Sequence, residues 1–74
     1  MNIKDVVNVN PNRMSGAPCF TGTRVPISHM FEYLETGETV DEFLRQFPSV
    51  TRDQVLAVLE LSKESLLASY EVAA

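Results

Sequence analysis

Apolar residues recur at helical spacing in three consecutive segments that fill the second half of this chain. The first segment places four of them at i, i+3, i+4 and i+7, on one face of a helix: Ile27, Met30, Phe31 and Leu34. The same spacing returns from Val40 to Phe47 and again from Val55 to Tyr70. The pattern predicts helices near 28–36, 40–47 and 51–70, joined by turns of about three residues.

Residues that favour helix ends punctuate these segments. Ser28 is suited to cap the start of the first predicted helix, and Gly37 to follow its end in a left-handed conformation. Thr39-Val-Asp-Glu42 and Thr51-Arg-Asp-Gln54 are capping boxes, and Pro48 stops the second helix. Two short helices, a tight turn and a longer third helix predict a trihelical unit of the helix-turn-helix type.

The first 27 residues have a different pattern. Val7 and Val9 alternate with asparagines, which predicts a short strand. Brief extended pieces near 18–20 and 24–27 are expected to pair with it, with Thr21-Gly22 forming the turn between them. Pro18 and Pro26 remove ladder donors and keep these strands short.

The prediction is therefore one mainly α domain over residues 1–74. Residues 1–27 form a short N-terminal β arm or hairpin, and residues 28–74 form the three-helix core. The distal part of the third helix has more apolar surface than one face can use, so it covers the N-terminal segment, meets a second chain, or forms a wide core-facing stripe.

Size makes self-association the expected source of extra stability. A core in a chain of 74 residues supplies only about 3–5 kcal/mol. A single cysteine rules out an internal disulfide, and a single histidine leaves no zinc cluster within one chain. The sequence therefore predicts a homodimer. Without a secretory h-region or an apolar run of about 18–20 residues, it also predicts a cytoplasmic protein with no membrane contact.

Charge is distributed unevenly. Residues 1–27 have three basic residues against one acidic residue, for a net charge of +2. Residues 28–74 have three basic residues against nine acidic ones, for a net charge of −6. Because phosphate binding needs clustered Lys and Arg, the acidic half argues against broad attraction to nucleic acid and suits a basic protein partner.

Catalytic candidates are weak. Cys19 lacks a neighbouring base and orienting group in the sequence, since nothing places His29 near it, and a buried structural cysteine is the expected role. The loop from Gly16 to Thr23 lacks the lysine of a phosphate-binding loop. The sequence therefore predicts a non-enzyme with no cofactor, metal or small-molecule substrate.

The start of the third predicted helix offers a candidate DNA contact. The third predicted helix would be the second helix of a helix-turn-helix motif. In such motifs the N-terminal end of that helix meets base edges, where Arg contacts G and Gln contacts A. Thr51, Arg52 and Gln54 would face bases, with Arg13 or Arg45 near the backbone, although Asp53 would repel phosphate.

The stretch from Gly16 to Pro26, GAPCFTGTRVP, resembles the signature G-K-P-x-[IF]-x-G-T-R-[IV]-P of small bacterial proteins. These form domain-of-unknown-function family 433. The later T-V-D-E-F-L-R-Q-F-P-S-V-T is also similar to the family pattern, and the resemblance covers roughly residues 5–62. Ala17 stands where the family often has Lys. Members are often classed as antitoxin-like with a homeodomain-like trihelical fold.

The resemblance implies that the arm docks on the helices and pairs across a dimer. The arm and dimer residues would be Val7, Val9, Phe20, Arg24 and Val25. Arg24 would form an ion pair within or between chains, or meet a phosphate. The implied function is an antitoxin-like regulator that binds a cognate nuclease-like toxin as a dimer, with its own promoter DNA as a second candidate partner. The alternative is a purely protein-binding dimeric module without DNA binding.

Overall fold

The computed structural model describes residues 2–12 and 14–73 and has a mainly α fold. Within these residues the chain forms, in order, α1 (Ile3–Val6), β1 (Val7–Asn8), β2 (Cys19–Phe20), α2 (Ile27–Glu35), α3 (Val40–Gln46) and α4 (Arg52–Ala73). A single 3₁₀ turn, Met14–Gly16, precedes β2. The mainly α fold and the small N-terminal hairpin confirm the predicted fold class.

Helices α2, α3 and α4 match the three predicted segments to within a few residues. Thr39 caps α3 as expected, since its Oγ1 accepts from the Glu42 amide at 3.1 Å. The prediction of Ser28 as a cap was wrong, because α2 begins at Ile27 with Pro26 in the capping position at φ −63° and ψ 143°. The proline ring fixes that φ, and its missing N–H is harmless at a helix start.

The end of α2 has the predicted glycine. Gly37 adopts φ +93°. Its amide donates to the carbonyl of Leu34 at 3.0 Å, and the Glu38 amide donates to that of Tyr33 at 3.0 Å. This pair of bonds is the Schellman arrangement, which satisfies helix-end carbonyls and needs a left-handed residue at this position.

The N-terminal hairpin centres on β2. Strands β1 and β2 are antiparallel, with Val7 opposite Phe20 and Asn8 opposite Cys19, and Cys19 also bridges to Pro26. The turn after β2 is fixed by Thr23, whose Oγ1 donates to the Phe20 carbonyl at 2.8 Å and accepts from the Val25 amide at 3.1 Å. Most of the signature therefore has a structural role.

Helix α1 was not predicted. Its single turn is capped by Asn2, whose side chain accepts from the Lys4 amide at 3.0 Å, and its last residue, Val6, is fully buried. Four residues are too few to display a helical period, so the pattern of Val7 and Val9 dominated the prediction.

One apolar core joins every helix and the hairpin. Its buried members share contacts across the whole fold: Val6, Phe20, Val25, Met30, Phe43, Val50, Val55 and Val58. Tyr33 and Phe47 flank Phe43, with ring centroids at 5.6 and 5.1 Å. The N-terminal segment is docked on the helices, as predicted, and supplies three of these eight core residues.

Candidate interaction surfaces

The start of α4 is held by a reciprocal capping box. The Gln54 amide donates to Thr51 Oγ1 at 3.1 Å, and the Thr51 amide donates to Gln54 Oε1 at 3.0 Å. The Gln54 side chain also donates through Nε2 to the carbonyl of Thr21 at 2.9 Å. Both the oxygen and the nitrogen of the Gln54 side-chain amide therefore form hydrogen bonds within the chain, and the bond to Thr21 links the hairpin to α4.

Arg52 lies beside this box in an ion pair between helices. Its guanidinium donates to Oδ1 of Asp41, in the first turn of α3. That hydrogen bond, and secondarily the charge of Arg52, holds the pKa of the Asp41 carboxyl below its ordinary value of 3.8. Both side chains are exposed, so solvent screening keeps the pair weak.

The lowered pKa of Asp41 predicts a pH dependence of small size. A depressed carboxyl pKa contributes stability above the unfolded value, and that contribution is lost as pH falls through the folded value. At pH values above 3.8, Asp41→Asn should therefore lower the Tm by a small amount. The difference should disappear in more acidic solution, as measured by thermal unfolding of both proteins from neutral pH downward. A difference that grows on acidification would contradict this assignment.

The remaining proposed DNA contacts are Arg45 and Arg13. Arg45 Nη1 lies 2.6 Å from Glu42 Oε2, and Gln46 Nε2 donates to the other oxygen of Glu42 at 3.3 Å. Arg13 lies outside the described residues. Each described member of the proposed DNA-binding set therefore has a partner within the chain.

An acidic groove lies between α2 and α3. It encloses about 470 Å³ and is lined by Glu32, Tyr33, Thr36, Glu38, Glu42 and Gln46. Residues 28–48 contain five carboxylates against the single Arg45, a net charge of −4. Among the described residues no cation lies within 4.0 Å of Glu32 or Glu38. These two exposed carboxylates give the groove its negative charge.

An apolar groove occupies another part of the surface. It encloses about 700 Å³ between the N-terminal segment, α2 and the distal half of α4. Its apolar lining includes Ile3, Val7, Ile27, Phe31, Leu61 and Leu66. Sequence reasoning did not identify this groove, although the surplus of leucines in the third predicted helix was a signal for it.

The proposed arm and dimer residues divide by burial. Phe20 and Val25 are covered within one chain, whereas Val9 is exposed and Val7 lines the apolar groove. Arg24 is exposed, and within the described part of the chain it forms no ion pair. Of these five residues, only Val7, Val9 and Arg24 therefore have surface left for a contact outside the chain.

Cys19 and His29 both pack against other residues of the fold. Cys19 is buried in β2 with its thiol 3.4 Å from the Ala17 carbonyl, and His29 packs against the Phe47 ring at 6.1 Å. The hollow that Cys19 and Arg24 share encloses about 30 Å³, far below the roughly 300 Å³ of a small-molecule pocket. Across the described residues, no three His, Cys, Asp or Glu side chains group as metal ligands.

The described helices were compared in length and apolar character with a bilayer-spanning helix, which needs about 20 mostly apolar residues. None of these helices combines the length and the apolar character that crossing a bilayer requires.

Comparison with known protein families gives a match over most of the chain. The family model described as "protein of unknown function (DUF433)" matches residues 7–61. No curated protein and no solved structure matches the chain. The matched range spans β1, β2, α2, α3 and the first half of α4, and it includes the G-T-R-V-P turn that ties the hairpin to the core. The chain therefore belongs to family DUF433.

Proposed function

We propose that this protein is a cytoplasmic, antitoxin-like regulator that binds a basic partner protein through its acidic groove. The observation that supports this most directly is the pair Glu32 and Glu38, two exposed carboxylates without a cation in reach among the described residues. Opposite charge across an interface speeds association and selects partners.

The groove has features that suit an arginine side chain. Tyr33 also lines the groove, and its ring is held edge-on to Phe43 and Phe47, each at 5.6 Å. A planar guanidinium can bond a carboxylate with two donors and stack on an aromatic face, which an ammonium does less well. We therefore expect the partner to insert arginine rather than lysine.

The class of partner follows from charge together with the family resemblance. A nuclease binds a polyanion and so presents a basic surface, which an acidic groove complements. The toxin implied for antitoxin-like proteins is nuclease-like. Occupying that surface would compete with nucleic acid, which is how such a regulator would inhibit its partner.

Promoter binding is the competing hypothesis. It requires Gln54 to leave the Thr21 carbonyl and Arg52 to leave Asp41, since both contacts occupy side chains that would face bases. Promoter binding would also bring residues 28–48, which have a net charge of −4, close to the DNA phosphates, because Asp41 lies beside Arg52. A module that binds protein without DNA is the better supported form of the proposal.

The double charge reversal Glu32→Lys and Glu38→Lys tests the groove. It should raise the Kd for the protein encoded by the adjoining reading frame about tenfold or more, equivalent to roughly 1.4 kcal/mol. The matched control, Asp53→Lys with Glu64→Lys, makes the same change in net charge on exposed positions of α4 that form no ion pair among the described residues. It should leave the Kd within about threefold. Calorimetric titration measures both, and equal losses in the two variants would mean that total charge rather than the groove governs binding.

A further inference from the structure

The apolar stripe of α4 runs past the end of the core. Val55, Leu59, Leu66 and Tyr70 lie near one another around the helix, at spacings of four, seven and four residues. Val55 is buried and Leu59 half-buried, yet Leu66 is 69% exposed and Tyr70 77% exposed. The same face that packs the core is therefore uncovered over its second half.

That second half has little to stabilise it within one chain. Every residue from 62 to 70 is exposed. Helical segments shorter than about 12–15 residues are marginal in water unless an amphipathic face is packed. The Lys63–Glu60 ion pair at 3.0 Å is worth only a few tenths of a kcal/mol in such helices. A covering surface would therefore add to the stability of this segment.

The apolar groove has the matching character. Besides its apolar members it is lined by three serines of α4, Ser62, Ser65 and Ser69, and it includes no charged residue within the described part of the chain. An uncharged groove of this kind accepts the apolar face of a helix. One chain thus presents both an uncovered helix face and a groove able to receive one.

We propose that a second copy of this chain covers the groove. The distal half of α4 of each copy packs in the apolar groove of the other, related by a two-fold axis. Such an interface is self-complementary, so each contact occurs twice and no free groove remains.

The available area fits a stable dimer. A fully exposed leucine or isoleucine presents roughly 100 Å² and a tyrosine roughly 150–250 Å². Scaled by exposure, Ile3, Leu66 and Tyr70 offer roughly 300 Å², and the half-buried groove side chains add about 100 Å². With about 65% apolar area in homodimer interfaces, this corresponds to roughly 600 Å² per copy. The total of about 1,200 Å² meets the lower limit for specific interfaces.

Charge favours this face over the others for self-association. The acidic groove would bring two regions of net charge −4 together. Around the apolar groove, Lys4 offsets Asp5, and residues 60–73 have one lysine against three glutamates, a net charge of −2, so two copies repel each other less there than at the acidic groove. The two grooves thus serve different partners, and dimerisation does not depend on the acidic groove.

Sedimentation equilibrium tests the interface. The unaltered chain should sediment at twice 8.3 kDa at about 100 µM. Leu66→Ser with Tyr70→Ser should raise the dimer Kd about 30-fold or more, because these residues are central anchors. In this variant the amides of Phe20 and Val55 should be as well protected from hydrogen exchange as they are in the dissociated wild-type chain. The reason is that both substituted side chains, Leu66 and Tyr70, lie outside the core.

The control removes comparable apolar surface from a neighbouring face of α4. Leu56 and Leu67 are 51% and 50% exposed and lie off the stripe, so Leu56→Ser with Leu67→Ser should change the Kd less than about threefold. Isotope-filtered NOEs should connect the Tyr70 ring of one copy with Ile27 or Phe31 of the other. A single 8.3 kDa species at about 100 µM, or a dimer unaffected by the Leu66/Tyr70 change, overturns the proposal. Partner binding by the monomeric variant is measured separately, so the two proposals fail independently.

Discussion

Replacing Phe20 by alanine should leave most of the protein unfolded at 25 °C. Phe20 is fully buried, its ring lies 6.0 Å from that of Phe43, and its amide bonds the Val25 carbonyl at 3.0 Å. Truncating a buried phenylalanine costs about 3–5 kcal/mol. That equals the roughly 3–5 kcal/mol that a core of this size supplies. Urea unfolding followed by circular dichroism measures the loss.

Val9→Ala is the matched control within the same N-terminal segment. Val9 is exposed, so its truncation should change the free energy of unfolding by no more than about 0.5 kcal/mol. If Phe20→Ala cost less than about 1 kcal/mol, the signature segment would be peripheral to the core. The result therefore decides whether the signature segment is part of the core that stabilises the fold or lies at its periphery.

Phe43→Ala should release α3 from the rest of the molecule. This helix has seven residues, too few to persist alone, and Phe43 is its buried residue. The Phe43 ring contacts those of Phe20, Tyr33 and Phe47 with centroids 5.1–6.0 Å away. We expect a loss of about 3–5 kcal/mol. Because a loss of this size removes most of the stability of the core, hydrogen exchange should accelerate at the amides of both α3 and α4, and most strongly in α3.

Arg45→Ala controls for general effects of substitution in α3. Its side chain is exposed and its pair with Glu42 is a surface pair, so the free energy of unfolding should fall by less than about 1 kcal/mol. If α3 kept its amide protection in Phe43→Ala, packing by Phe43 would not be what holds this helix in place.

Local signals were sufficient to predict three of the four helices that the described residues form. Thr39 and Thr51 form their caps with residues three positions away, and Gly37 terminates its helix through bonds to the preceding turn. Each of these contacts lies within one turn of the chain, where spacing determines geometry. Periodicity and capping residues therefore located α2, α3 and α4 within a few positions.

Contacts between distant segments could not be predicted in this way. Gln54 bonds Thr21 across 33 positions, and Arg52 bonds Asp41 across eleven. A sequence pattern does not encode which distant carbonyl or carboxylate a side chain meets. Considered locally, Gln54 and Arg52 were candidates for base contact, whereas in the fold they join the hairpin and α3 to α4.

Parallel titrations with partner protein and with DNA test the central claim that this module binds protein rather than nucleic acid. The same wild-type sample is titrated with the adjoining-frame protein and with its own upstream DNA, at about 50 and 200 mM salt. We predict saturable partner binding that weakens with salt, and no saturable DNA binding even at the lower salt. Saturable DNA binding that Arg52→Ala weakens by about 1–3 kcal/mol, without partner binding, would contradict the account.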